Sequence, residues 1–334
     1  MIGIAVVGYG YWGPNIVRNF QEIEGAQVLV CCDLDEQRLA RVKQKYPSIR
    51  VTTDYEEILN DPKVAAVAVV TPVATHYEFA RAALERGKHV LVEKPMAASV
   101  AEAEKLIELA AKHSLILMVN HTFIYTGAVR KMKEIIEKGD LGDLYYFDSV
   151  RINLGLIQRD VNVLWDLAPH DVAILGYLVN EAPVSVCANG ACHTGNGIED
   201  IAYLTVYFNS GLIAHFHNNW IAPAKIRTIL VGGSKKMIVY DDMEASEKVK
   251  VYDKGIEVAS TEAAHNALIS YRLGDMWAPR LEQTEALRLV ASEFVDCIES
   301  GRRPVTDGIS GLSVVRILEA SEMSIKRRGK EVKL

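Results

Sequence analysis

The sequence has few cysteines, no long apolar run and no excess of positive charge. Five cysteines occur in 334 residues, an odd number without CxxC spacing, which favours reduced thiols in a cytoplasmic protein over a disulfide framework. The longest apolar run, VAAVAVV at 64–70, is far too short to span a bilayer. These features argue against a disulfide-stapled secreted domain and against a transmembrane helix.

The charge balance is slightly acidic, with 37 basic and 43 acidic residues and a net charge of -6. It offers no basic patch for nucleic acid and no polybasic segment for an anionic membrane surface. The chain passes from Met1 directly into a strand pattern, so we expect no signal peptide. A length of 334 residues exceeds a typical single core and predicts two domains.

Short apolar runs alternate with amphipathic helical patterns over the first 120 residues. The runs are IGIAVVG, QVLVCC, VAAVAVV, HVLVEK and LILMVN. Runs of this kind, separated by helices, predict βαβ units in a doubly wound parallel sheet with both faces covered. We therefore predict an N-terminal α/β domain of the Rossmann type over residues 1–120.

Beyond residue 121 the pattern changes to a helix around VLWDLAPHDVAILGYLV and then to several β-like runs joined by short turns. This arrangement favours an α+β domain with a mostly antiparallel, open sheet. We assign residues 121–334 to it, including two amphipathic helices at about 281–300 and 309–328. Because no low-complexity linker separates the halves, we expect them to pack around a shared cleft.

A glycine-rich turn, GYGYWGPN, follows the first strand. A lone GxGxxG is weak evidence, but here a strand precedes it, a helix follows and an acidic residue ends the next strand. Gly8 would permit the tight turn, Gly10 the approach of a pyrophosphate and Gly13 close packing of helix on strand. Tyr11 and Trp12 fill the variable positions, and we expect their side chains to point outward over a bound cofactor.

The acidic residue is Asp33, which closes QVLVCCD. Its carboxylate should accept hydrogen bonds from the adenosine ribose and repel a 2′-phosphate, which predicts NAD rather than NADP. We expect Arg38 on the solvated face of the following helix, where it would not hold that phosphate. The alternative is a βαβ unit that binds nothing and uses Asp33 as a helix cap.

Two further stretches carry chemical groups. HVLVEKP places Glu93, Lys94 and Pro95 at the carboxyl edge of the sheet, where open α/β sheets bind ligands; Pro95 would stiffen this turn, with a cis bond as one option. Lys94 could hydrogen-bond a reacting hydroxyl or be a solvent-facing charge. In NVLWDLAPHD, Asp166 and His170 share one helix face, which suits an oriented general base or a surface i,i+4 pair.

These motifs, together with TPVATH at 71–76, resemble the Gfo/Idh/MocA family of nicotinamide-dependent oxidoreductases over essentially the whole chain. The resemblance implies that Lys94 is the catalytic lysine and that Asp166 and His170 form the acid/base pair. Besides the glycine turn and Asp33, we assign the residues of two loops to cofactor binding: Thr71, Pro72, His76, Glu93 and Lys94.

Within that family, GYGYWGPN and RINLGLIQRDVNVLWDLAPHD resemble members that act on nucleotide-linked sugars, near the UDP-N-acetylglucosaminuronate dehydrogenases. This implies a UDP-sugar substrate oxidised at the C3 hydroxyl, and a homodimer or homotetramer. Residues flanking the DxxxH helix are expected to contact the sugar or its phosphates: Arg151, Asn153, Asn162, Trp165 and His170. The alternatives are an exposed strand residue for Arg151 and a core anchor for Trp165.

Other functions remain open at this point. A dehydrogenase or reductase of a free sugar, cyclitol or glycoside would share the same catalytic groups, whereas a dinucleotide-binding sensor would not need Lys94, Asp166 and His170 together. We expect no metal, because lysine and histidine can stabilise a developing alkoxide. The cysteines and histidines at 187–193 and 215–217 do not supply a zinc ligand set.

Overall fold

The computed structural model describes residues 1–155, 161–195, 197–253, 255–258, 269–272 and 274–334. Contacts divide the chain into two units. The first comprises Met1–Tyr125 and Thr284–Glu319, and the second comprises Thr126–Gln283 and Ala320–Leu334. None of the helices in the described ranges combines the length and the apolar character needed to cross a membrane.

Six parallel strands form the sheet of the first unit in the order β3-β2-β1-β4-β5-β6. Their bounds are β1 Ile2–Val7, β2 Ala26–Cys32, β3 Arg50–Thr52, β4 Ala66–Val69, β5 His89–Glu93 and β6 Leu117–Asn120. Their apolar runs are buried, as a sheet covered on both faces requires. The predicted doubly wound parallel sheet is confirmed, and its strand order reverses between β1 and β4, where such sheets bind ligands.

Helices connect these strands, and most begin at a polar cap. Their bounds are α1 Gly13–Glu22, α2 Glu36–Lys45, α3 Tyr55–Leu59, α4 Val73–Glu85, α5 Val100–Lys112 and a 3₁₀ helix Thr122–Tyr125. The side chains of Asp35, Asp54 and Ser99 accept backbone N–H groups at the starts of α2, α3 and α5. These caps satisfy donors that a helix start otherwise leaves unpaired.

Two C-terminal helices, α8 Ala286–Ser300 and the first part of α9 Gly308–Lys326, complete the first unit. Phe294 of α8 contacts Phe20 of α1, with ring centroids 6.2 Å apart, and Arg18 donates to Glu285 at 2.5 Å. The predicted division assigned this segment to the second domain. The contacts place it in the first unit instead. The sequence could not predict this, because an amphipathic pattern shows that a helix has an apolar face without showing which surface covers that face.

The second unit contains a sheet of nine strands among the described residues, in the order β16-β13-β12-β11-β7-β10-β9-β8-β17. Their bounds are β7 Leu144–Leu154, β8 Pro183–Ala191, β9 Ile201–Phe208, β10 Ile213–Asn219, β11 Ile221–Gly233, β12 Met237–Asp241, β13 Val249–Tyr252, β16 Met276–Trp277 and β17 Val332–Lys333. Neighbouring strands are antiparallel except β7 and β10, so the mostly antiparallel sheet is confirmed. Strands β14 Gly255–Val258 and β15 Ile269–Arg272 form a separate antiparallel pair.

Helices α6 Gly127–Glu137 and α7 Val163–Leu178 belong to this unit. A buried ion pair fixes α7 on β7: Arg151 donates from Nε and Nη2 to the two carboxylate oxygens of Asp171 at 2.9 and 2.6 Å. Ser149 donates to the same carboxylate at 2.8 Å. Both charged side chains are almost wholly buried, so each depends on the other for compensation.

We predict that Arg151→Met lowers the free energy of unfolding by about 3–5 kcal/mol, because it leaves the Asp171 carboxylate buried without its counter-charge. Adding Asp171→Leu should restore most of this loss. Urea unfolding of the single and double variants measures both effects. Arg81→Met, which removes exposed pairs with Glu78 and Glu85, is the control and should cost at most about 1 kcal/mol; an equal loss in both single variants would contradict the prediction.

Candidate functional site

The three glycines of the turn after β1 have different surroundings. Gly8 has φ +97°, and a Cβ there would lie 2.4 Å from the Val70 carbonyl oxygen. A Cβ on Gly13 would lie 2.5 Å from the Gly8 oxygen. Around Gly10, the described residues bring nothing closer to a Cβ than the Arg38 Nη1 atom at 3.9 Å. The first and third glycines are thus required by packing, and the second borders open space that a cofactor can fill.

The aromatic residues of this turn project outward, as the sequence analysis expected. Tyr11 is 83% exposed and Trp12 42% exposed, and their rings meet edge to face at 5.4 Å. Pro14 lies in the first turn of α1, and among the described residues no side chain caps this helix. The helix start can therefore offer backbone N–H groups to an anion such as a pyrophosphate.

The Asp33 carboxylate is fixed at the end of β2. Its Oδ2 accepts the Tyr9 N–H at 2.6 Å and its Oδ1 accepts the Asp35 N–H at 2.9 Å. The cap of α2 is Asp35, so Asp33 does not have the capping role considered as the alternative. Each carboxylate oxygen has two lone pairs, which leaves capacity for ribose hydroxyls.

Arg38 lies closer to this site than its predicted place on the solvated face of α2 implied. It is half exposed, but its Nη1 atom lies 3.5 Å from Asp33 Oδ2 and its Nε atom 3.3 Å from Asp35 Oδ2. The helical pattern shows that Arg38 occupies the outer face of α2. It does not show that two carboxylates, three and five residues earlier in the chain, lie close to the guanidinium at the strand end.

Glu93 and Lys94 follow one another at the carboxyl end of β5. The Glu93 carboxylate accepts the Asn120 amide at 2.6 Å, and burial raises the pKa of Glu93 although Asn120 and Lys94 oppose that shift. The bond between Lys94 and Pro95 is cis. Lys94 thus lies at the sheet edge where open α/β folds bind ligands, beside a carboxyl group that is itself engaged by β6.

His76 links two loops at this edge. Its Nδ1 lies 2.8 Å from the Pro95 carbonyl oxygen and its Nε2 lies 2.8 Å from that of Thr71. Burial lowers the pKa of His76 although both carbonyl contacts oppose the shift. Pro72 stands at the N-cap of α4. The structure thus gives His76 a bracing role, and contact of this loop with a cofactor stays a prediction.

His121 is not among the site residues predicted from the sequence. It follows β6 directly and is 2% exposed. Burial, together with the charge of Lys94, lowers the pKa of His121 to about 3. Neither ring nitrogen has a hydrogen-bond partner among the described residues. The available signal was the polar pair Asn120–His121 ending LILMVNH, at the same sheet edge as EKP.

In the second unit, Asn162 and Trp165 hold the start of α7. Asn162 accepts the N–H groups of Leu164 and Trp165 at 3.1 and 3.2 Å and donates to Glu199 at 3.1 Å. The Trp165 indole is buried and donates to Glu322 at 3.2 Å. These contacts fit the core-anchor alternative for Trp165 and give Asn162 a capping role; their contact with a substrate stays a prediction.

Asp166 and His170 lie one turn apart on α7, both partly exposed. Asp166 Oδ2 accepts the indole N–H of Trp220 at 2.9 Å, a partner that the sequence analysis missed because a lone tryptophan 54 residues away carries no local signal. Pro169 lies inside the helix between them. It lacks an N–H group, so the Trp165 carbonyl loses its usual helical donor there.

The remaining predicted substrate-binding residues, Arg151 and Asn153, have different surroundings. Arg151 is buried against Asp171, so it is neither an exposed strand residue nor oriented toward a sugar phosphate; the strand pattern gave no sign of a buried partner on a helix. Asn153 is partly exposed, and its Nδ2 atom would lie 2.8 Å from a Cβ atom if Gly155 carried one. Residues 156–160 of the quoted RINLGLIQRDVNVLWDLAPHD stretch lie outside the described residues.

The histidines considered for a metal site have other contacts. His193 Nδ1 lies 2.9 Å from Asp200 Oδ1, and the Tyr203 ring stacks on His217 at 4.6 Å. In the described part of the chain, no three or more histidine, cysteine or acidic side chains are grouped so that they could hold a metal ion.

We predict that Gly10→Ala and Gly13→Ala separate cofactor binding from stability. Gly10→Ala should leave the thermal midpoint unchanged and weaken NAD binding at least about tenfold, because its methyl group fills the space at the turn. Gly13→Ala should lower the free energy of unfolding by about 1–3 kcal/mol through overpacking. Calorimetric NAD titration and thermal unfolding measure the two effects; unchanged NAD affinity in Gly10→Ala would refute the assignment.

Two family models match this chain. The model described as "Oxidoreductase family, NAD-binding Rossmann fold" matches residues 2–121. The model described as "GFO/IDH/MocA C-terminal domain" matches residues 129–239. Together they cover more than half of the sequence and include every motif on which the family resemblance was based.

Individual relatives extend over nearly the whole chain. A myo-inositol 2-dehydrogenase of Thermotoga maritima is 26% identical over 99% of this chain and 98% of its own length. UDP-N-acetylglucosamine 3-dehydrogenase GnnA from Acidithiobacillus ferrooxidans has a solved structure with a TM-score of 0.82 and 22% identity, covering 98% of this chain and 99% of that one. GenD2 from gentamicin A biosynthesis, solved with NAD, has a TM-score of 0.84 and 24% identity, with coverages of 100% and 96%. The chain belongs to the Gfo/Idh/MocA family and is an oxidoreductase with an NAD-binding Rossmann domain.

Proposed function

We propose that this enzyme oxidises a secondary hydroxyl, the C3 hydroxyl, of a nucleotide-linked sugar with NAD. The observation that carries the proposal is the pair Asp166 and His170, one turn apart on α7, with the carboxylate held by Trp220 at 2.9 Å. Lys94 supplies the second group, at the carboxyl edge of the first sheet. These are the side chains that alcohol oxidation needs: an oriented base and a donor to the reacting oxygen.

The residues proposed to hold the cofactor are the glycine turn and Asp33. The space at Gly10 and the fixed carboxylate at the end of β2 fit a dinucleotide. When bound, NAD supplies the acceptor for the hydride that the alcohol carbon loses. The carboxylate beside the ribose site favours NAD, although Arg38 lies within 3.5 Å of it.

His170 takes the hydroxyl proton in this proposal, and Asp166 stabilises the imidazolium that results. Lys94 donates a hydrogen bond to the same oxygen, so negative charge is shared as the proton leaves. The carbon becomes a carbonyl carbon when its hydrogen departs with the electron pair. Reversal of these steps reduces a keto sugar.

The substrate class rests on sequence resemblance. The GYGYWGPN turn and the stretch leading into α7 resemble members that act on nucleotide-linked sugars, and one such protein, GnnA, shares the fold over nearly the whole chain. A second candidate substrate is a cyclitol or free sugar. It is supported by the similarity of this chain to the myo-inositol 2-dehydrogenase of Thermotoga maritima, which is 26% identical over 99% of this chain.

The test is the absorbance of the reduced nicotinamide after mixing protein, NAD and a sugar panel, with NADP in parallel. The panel contains UDP-N-acetylglucosamine, its uronate, simple UDP-sugars, free hexoses and inositol. We expect reduction of NAD with UDP-linked sugars alone. Turnover of inositol or a hexose alone would replace the substrate class, and tight NAD binding with no turnover on any sugar would favour a sensor.

We predict that His170→Ala and Lys94→Met each lower kcat by about 10²–10⁴-fold, because each removes a group that acts on the reacting hydroxyl. NAD affinity should change little. The matched controls are His113→Ala and Lys112→Met at the exposed end of α5, which should retain full kcat. Near-normal turnover in both site variants would refute the assignment.

We also propose a homodimer or homotetramer that associates through the face of the second sheet opposite α7. On this face Tyr203 and Ile213 are 44% and 42% exposed, and neighbouring strands add apolar side chains such as Val150 and Leu230. Sedimentation velocity at micromolar concentration should show dimers or tetramers, and Tyr203→Glu with Ile213→Glu should give monomers because the charges oppose burial. A monomeric native chain would contradict this proposal.

A further inference from the structure

We propose that Trp220 is a positioning residue for the acid/base pair: its indole N–H holds the Asp166 carboxylate in the orientation in which that carboxylate supports His170. This inference rests on the proposed roles of Asp166 and His170. It adds a third side chain to the acid/base pair, and this side chain comes from the sheet rather than from the helix.

The main chain fixes Trp220 on both sides. The residue lies at the junction of β10 and β11, where its N–H donates to the Asp200 oxygen at 2.9 Å and its carbonyl accepts the Gly155 N–H at 3.1 Å. The side chain is 1% exposed. An indole anchored in this way has little freedom to follow a moving partner, so it acts as a fixed reference for α7.

The indole ring packs against Gly155 and bonds Asp166. A Cβ on Gly155 would lie 3.3 Å from its Cδ1 atom, so a glycine there lets the ring pack closely. The neighbouring ring atom, Nε1, which is bonded to Cδ1, lies 2.9 Å from Asp166 Oδ2. A buried indole N–H requires an acceptor, and a carboxylate acceptor makes a stronger, charge-assisted bond. The bond restricts rotation of the carboxylate about its own axis.

Trp165 provides a comparison within the same helix. It directly precedes Asp166, yet its indole donates to Glu322 at 3.2 Å. Two buried tryptophans thus donate to carboxylates around the first turn of α7, and the one from the sheet, Trp220, is bonded to the proposed acid/base pair. Other acidic groups near α7 have partners of their own: Asp171 bonds Arg151 and Asp200 bonds His193.

We predict that Trp220→Phe, which retains a ring and removes the N–H group, lowers kcat about tenfold while the affinity for NAD stays unchanged. Without the donor, more of the Asp166 charge is available to His170, so the imidazole keeps its proton to higher pH. The acidic limb of the kcat/KM profile should therefore move to higher pH, by up to about one unit. Trp277→Phe, at an exposed position of β16, is the control and should change neither quantity.

A double-mutant cycle distinguishes positioning from packing. If Trp220 acts through Asp166, then Trp220→Phe should cause no further loss of kcat in an Asp166→Asn background. The same tenfold loss in both backgrounds, or a lowered thermal midpoint with an unmoved acidic limb, would show a merely structural role and overturn the inference.

A measurement on the unaltered chain covers the case in which Trp220→Phe does not fold. In protein labelled with ¹⁵N-tryptophan, the indole N–H resonance of Trp220 should titrate with the apparent pKa of the acidic limb, and that of Trp277 should not. A Trp220 resonance that stays constant through that limb would overturn the inference. Absence of turnover by the unaltered enzyme on the whole sugar panel would instead refute the proposed function.

Discussion

The buried ion pair between Arg151 and Asp171 determines how α7 lies on the second sheet, and the candidate acid/base pair depends on that setting. Two parallel hydrogen bonds, at 2.9 and 2.6 Å, fix both the height and the rotation of the helix. Successive helical residues are rotated by about 100° about the helix axis. When Asp171 faces the sheet, His170 therefore points to one side of α7, along the sheet surface rather than into it. Asp166, one turn earlier, lies on the same side of the helix as His170. A structural charge pair therefore orients the candidate acid/base pair beside it.

At the carboxyl edge of the first sheet, burial rather than an ion pair shifts the pKa values of the titratable side chains. Burial lowers the pKa of His76 and of His121, and the charge of Lys94 adds to both shifts. Burial raises the pKa of Glu93 against the opposing effects of Asn120 and Lys94. Burial and the charge of Lys94 thus both disfavour the charged form of each imidazole, and the ring nitrogens of His121, unlike those of His76, have no hydrogen-bond partner among the described residues.

Short-range sequence patterns predicted the features that depend on neighbouring residues in the chain, such as strands, glycine turns and helix faces. Buried apolar runs predicted the parallel sheet, and the glycine spacing predicted the tight turn at Gly8 and the close packing at Gly13, while the pyrophosphate contact at Gly10 stays a prediction. The DxxxH spacing was sufficient to place Asp166 and His170 on one helix face. Long-range partners could not be predicted in the same way. The strand pattern around Arg151 gave no hint of Asp171 twenty residues later, and nothing near Asp166 pointed to Trp220, because side-chain pairing across elements depends on packing rather than on spacing.

The first unit is discontinuous, since it takes residues 284–319 from the far end of the chain. During synthesis from the N-terminus, its sheet can form early, but the surface of α1 that receives Phe294 stays uncovered until α8 has emerged. Residues 126–283 of the second unit are thus made while the first unit still lacks part of its core. Contacts between positions so distant in sequence carry a high loop-closure cost and slow folding. The glycine turn after β1 belongs to the earliest segment synthesised, yet the domain that presents it is among the last parts of the chain to be completed.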